Sequence, residues 1–173
     1  MNRISIVCLA VVVSGLPVWA AEPSKEAVRK LAAEVGDATV AGDYAKVIDN
    51  TYPTLVKELG GRDKALAAAE AAMKQLAAKG FAIKKYEVGE PDKFYTEGDN
   101  TFVVLPAVLH MALPVGKIRT KSYLLGISSD GGKTWKFLDG TSLQRKEFRE
   151  RVLPKMPADL KLPEMSKPEI EKN

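Results

Sequence analysis

Cysteine occurs once in the 173 residues, at Cys8, and histidine once, at His110. Cys8 stands inside an N-terminal apolar stretch with no small residue just before it, so lipid modification there is not expected. Removing that stretch leaves a chain without disulfides, thiolate metal sites or thiol catalysis. A lone histidine cannot build the usual multi-histidine zinc site. Acidic residues are missing from 101–113 and from 117–127, the two most strand-like stretches. Carboxylate acid/base chemistry inside a sheet is therefore not legible. No phosphate-binding glycine loop, Gly-x-Ser-x-Gly elbow or paired metal motif occurs, and no cofactor is expected. The charge excess is only +4, with no cluster of Lys and Arg interleaved with aromatics, which argues against a nucleic-acid partner.

What is present begins with an export pattern. Arg3 precedes an apolar run from Ile4 to Val13, then Gly15, Pro17 and small residues up to Ala20 and Ala21. That is the order of a secretory signal, and the run is short for a bilayer-spanning helix of roughly 20 residues. Residues 1–20 are read as a signal peptide cleaved after Ala20. The expected localisation is periplasmic or secreted, with no membrane attachment after cleavage. The remainder, 46% hydrophobic and 28% charged over the whole chain, suits one globular domain, assigned to 21–153.

Ser24 is placed to cap a first helix, whose stripe Val28, Leu31, Ala32 and Val35 keeps helical spacing. A second helical stretch opens at Tyr44 and is kinked or split at Pro53, and a third runs from about Asp63 to Lys79 with Gly80 at its C-terminal end. Strands follow at 81–88, with a bulge where the apolar phase shifts between Ile83 and Tyr86, and then at 93–95, 101–113, 118–128 and 134–138. Pro106 restricts its own position to an edge or a bulge. Ser142 is read as the cap of a last short helix carrying Leu143, Phe148 and Val152. Helices first and strands after them predict an α+β fold. From Pro154 onward, four prolines among Lys and Glu define a C-terminal tail, 154–173, either mobile or lying across the domain through Leu160, Leu162 and Met165.

Ser128, Asp130, Gly132, Thr134 and Trp135 match the pattern Ser-x-Asp-x-Gly-x-Thr-Trp, which resembles the Asp-box of sialidases. One copy in so short a chain cannot make a propeller, and the motif is read as a structural hairpin turn. Lys117, Arg119 and Lys121 alternate on one strand face, the pattern of a solvated or edge-protecting surface and also of an anion-binding stripe. His110 is the one candidate for proton transfer near neutral pH, weighed against a plain strand residue.

Gly42-Asp43-Tyr44, Tyr52-Pro53, Gly60-Gly61-Arg62 and the run from Ser122 to Ser128 leading into the Asp-box together resemble the NTF2-like superfamily, which includes the SnoaL-like proteins. The resemblance covers roughly 24–140, and the combination is similar to small exported bacterial members without an assigned activity. It implies N-terminal helices packed on a curved antiparallel sheet, a cone with a pocket at its open end, and a homodimer through the sheet's outer face. The expected function is non-enzymatic binding of a small apolar or anionic ligand, with His110, Tyr52 and Tyr123 as lining residues. The alternatives are a small-molecule enzyme of isomerase, hydratase or hydrolase type using His110, and an envelope protein-interaction module.

Overall fold

A computed structural model describes residues 23–172; the expected signal segment lies outside the described residues. Among the described residues no helix is long and apolar enough to cross a membrane. The helices are α1 Lys25–Ala41, α2 Tyr44–Asp49, α3 Pro53–Glu58, α4 Arg62–Ala78 and, late in the chain, α5 Lys146–Val152. The strands are β1 Ala82–Val88, β2 Tyr95–Glu97, β3 Asn100–Leu113, β4 Gly116–Ser128, β5 Lys136–Asp139 and β6 Glu169–Lys172. The fold is α+β, with helices packed on a curled antiparallel sheet that forms a half-barrel.

Local chemistry explains the element ends. Ser24 Oγ accepts a hydrogen bond from the Ala27 amide at 3.2 Å, capping α1, and Gly42 ends it in the left-handed conformation at φ 77°. Pro53 splits the second helical stretch and becomes the first residue of α3, where its missing N–H costs nothing. The residues released by that split make a single parallel bridge to β5: Asn50 O accepts from Phe137 N at 2.8 Å, and Tyr52 N donates to Phe137 O at 3.0 Å. Ser142 does not cap the last helix. It lies in a short 3-10 turn, Ser142–Gln144, and α5 starts at Lys146 without a side-chain cap.

β3 and β4 form the centre of the sheet, paired over their whole length from Thr101↔Ser128 to Leu113↔Gly116. β1 and β2 share the far edge of β3, covering Ala107–Ala112 and Asn100–Phe102 respectively. Pro106 falls in the gap between them, where its O accepts from Gly89 N at 2.7 Å and no ladder bond needs the missing amide. β1 carries its bulge between Ile83 and Lys85. On the far side of β4, β5 and β6 cover separate stretches in the same way.

Alternation divides the sheet into two faces. The inner face presents Val103, Leu105, Leu124 and Phe137 to Val28, Ala32 and Val35 of α1. The outer face presents Phe102, Val104, Tyr123 and Leu125 to Leu143, Val152 and Leu160 of the C-terminal segment. Met156, Leu162 and Met165 of residues 154–173 pack on that same cluster, and β6 pairs with Gly116–Arg119 of β4. Both faces of the β2–β5 end are therefore covered.

The turn between β4 and β5 is held by Asp130. Its Oδ1 accepts from Ser128 Oγ at 2.7 Å, Lys133 N at 3.0 Å and Thr134 N at 2.9 Å, and its Oδ2 from Thr134 Oγ1 at 2.7 Å. These donors, the Thr134 amide first, hold the Asp130 carboxyl well below the ordinary carboxylate range. A depressed folded-state value makes a stabilising contribution that is complete above the unfolded value and fades as pH falls through the folded one. Asp130→Ala is therefore expected to lower the melting temperature by several degrees at neutral pH. Thermal melts across the acid range should show the gap to the parent chain closing below about pH 4, where the free carboxyl titrates. A gap independent of pH would remove the charge from the explanation.

Candidate functional site

Of the three residues singled out in the sequence, Tyr52 and Tyr123 belong to the outer-face cluster and His110 lies apart from it. His110 lies on the outer face at the open end of the sheet, its side chain 33% exposed and its Nε2 3.4 Å from Glu87 Oε2. Lys85 also pairs with Glu87, while Arg119 and Lys121 both pair with Glu169 of β6. Lys85, then His110, hold the Glu87 carboxyl below its ordinary range; Lys121, then Arg119, do the same for Glu169. Around His110 a hollow of about 630 Å³ is lined by Lys84, Lys85, Lys117 and Arg119 together with Met111, Ala112 and Ile118. The four long basic side chains keep their charged ends in water, so that part of the wall is adjustable. Tyr123 is buried in the outer-face core, and burial raises its phenol's pKa. Tyr52 lies beside Asp130 and Thr134, next to the β4–β5 turn.

The preformed cleft is elsewhere. Between α1, α2 and the inner face of the sheet lies a space of about 300 Å³, at the small end of ligand pockets, which run about 300–1,000 Å³. Its apolar wall is Val35, Val47, Ile83, Leu109, Leu124 and Phe137. The β1 bulge brings Ile83 and Tyr86 to this same face although they are three residues apart. Gly36 lets α1 settle onto Tyr86: a Cβ there would stand 2.8 Å from Tyr86 Cδ1.

Two polar features sit in this cleft. Tyr86 donates its hydroxyl to Asp139 Oδ2 at 3.4 Å, and Thr141 N donates to Asp139 Oδ1 at 2.8 Å. Burial first, then the negative charge of Asp139 and the bond to it, push the Tyr86 phenol far above its ordinary range, so it remains a donor. Ser122 Oγ, which also lines the cleft, is shielded from solvent and has no hydrogen-bond partner among the described residues. An unmet buried hydroxyl costs about 1–3 kcal/mol, which a bound molecule can recover.

Tyr86, Ser122 and Asp139 escaped the sequence reading as site residues. The signal that finds the carboxylate is parity: Phe137 faces inward, so Asp139, two residues on, faces inward too. Among the described residues no group of three or more His, Cys, Asp or Glu is placed to hold a metal ion. Comparison of the chain with protein-family models, curated proteins and solved structures finds no match.

Proposed function

We propose that this chain is an exported, NTF2-like binding domain whose inner cleft holds a small, largely apolar molecule without transforming it. The observation that carries the reading is the 300 Å³ space with six apolar walls and an unmet Ser122 hydroxyl. Helices laid on a curled antiparallel sheet support the kinship, and the N-terminal signal pattern supports a periplasmic or secreted location. Catalysis by His110 is not favoured, because His110 and the cleft lie on opposite faces of the sheet. Beside His110 the outer face carries the charged partners of Glu87 and Glu169, which gives a homodimer or protein partner there no specific support.

Ligand-detected NMR with neutral ring compounds the size of benzyl alcohol tests the proposal. Binding to the parent chain is expected, with Leu109→Trp, which fills the cleft, weakening it by at least about tenfold, or 1.4 kcal/mol. Undiminished binding in the filled variant would place the site elsewhere.

A further inference from the structure

The geometry points to an organic cation as the preferred occupant of the inner cleft: a small protonated amine carried on an apolar body, with its ammonium against Asp139. This deepens the binding proposal and rests on it.

Asp139 is the only ionisable carboxylate or cation among the residues lining the cleft; the remaining walls are apolar, hydroxyl or amide side chains, including the Tyr86 phenol. No Lys, Arg or His lies within ion-pair distance of it among the described residues, although ten Lys or Arg ion pairs form elsewhere among them. Its two hydrogen bonds come from neutral donors, Thr141 N and the Tyr86 hydroxyl. Neutral donors orient a carboxylate without cancelling its charge. A carboxylate beside apolar walls and without a countercharge attracts a cation and repels an anion.

The walls then select among cations. A hard divalent ion favours several charged oxygen ligands and tolerates apolar surroundings poorly, whereas this cleft offers a single carboxylate among neutral hydroxyl and amide oxygens. An alkyl or aryl ammonium ion fits both halves of the site. Its N–H groups can donate to Asp139 Oδ2, whose bond from Tyr86 is long at 3.4 Å, and its body covers Leu109, Leu124 and Phe137. Ser122 and Thr120, on the same wall, supply further acceptors. An anionic ligand would meet Asp139 directly; the basic residues lie on the other face of the sheet.

Three compounds sharing one ring separate charge from shape: benzylamine, benzyl alcohol and benzoate, titrated against the chain at pH 7 by ligand-detected NMR. Benzylamine should bind about tenfold more tightly than benzyl alcohol, the order of one charge-assisted hydrogen bond, and benzoate should not bind. Asp139→Asn keeps an oxygen for Thr141 N and should abolish the preference, so that the variant binds benzylamine no more tightly than it binds benzyl alcohol. Benzoate binding as tightly as benzylamine, or a preference for the amine that survives Asp139→Asn, overturns the inference. Equal binding of amine and alcohol by the parent chain sinks the charge argument alone and leaves the cleft as the site. Failure of all three to bind ends both readings.

Discussion

A chain ended after Leu153 is expected to lose most of its stability. Residues 154–173 place Leu160, only 6% exposed, and Met156, Leu162 and Met165 on the outer-face cluster around Phe102, Tyr123 and Leu125. Full burial of one such side chain stabilises by about 1.5–3 kcal/mol, so four partly or wholly buried ones amount to several kcal/mol. That is comparable with the whole stability of a typical domain, about 5–15 kcal/mol. The cut also uncovers a contiguous apolar surface on the sheet, which favours association. Urea unfolding should show a sharply lower midpoint, or the shortened chain should be recovered only as aggregate. A second cut, after Met165, removes β6 alone with the Glu169 ion pairs to Arg119 and Lys121. Exposed pairs of that kind contribute about 0–1 kcal/mol each, so this variant should stay close to the full chain. A midpoint unchanged by the longer cut would mean the apolar tail residues are not part of the core.

Trp135→Ala is the second large effect. Trp135 is 3% exposed, stacks on Phe94 with ring centroids 5.7 Å apart, and donates Nε1–H to Gly132 O at 3.0 Å. Gly126 on β4 leaves it space, since a Cβ there would meet Trp135 Cε3 at 3.3 Å and Val103 Cγ1 at 3.0 Å. Deleting the indole removes the anchor of the β4–β5 turn and opens a void in the inner-face core. The expected cost is about 3–5 kcal/mol, measured by denaturant unfolding. A loss below about 1 kcal/mol would show that the surrounding residues collapse into the space. The Asp-box here joins a surface turn to the core: Asp130 shapes the loop with hydrogen bonds, and Trp135 fixes it to the sheet by packing.

The order of elements was legible because helical spacing at Val28, Ala32 and Val35 and the long apolar runs of β3 and β4 are strong signals. Facing was not. Residues Thr101 to Leu105 are buried without interruption, since α1 covers one side of that stretch and the C-terminal segment the other. Where both faces are covered, alternation disappears and the parity of His110, farther along β3, cannot be carried forward. The cleft was hidden for a related reason. Asp139, followed by Gly140, looks like a turn residue in the sequence, and only its strand partner Leu124 reveals that it belongs to β5. The prolines of 154–173 forbid regular structure through most of that segment but do not decide whether it leaves the surface. That depends on an apolar cluster built by residues some 50 positions earlier.

The irregularity in β1 leaves the strand with a spare residue. Ile83 and Tyr86 both look into the cleft, whereas Lys84 and Lys85 both go to the hollow around His110. A homologous chain one residue shorter at position 84 could run as a plain pleat and keep its tyrosine inside. A chain of the same length that straightened here would carry a lysine inward to Asp139 instead and supply from within the positive charge now missing.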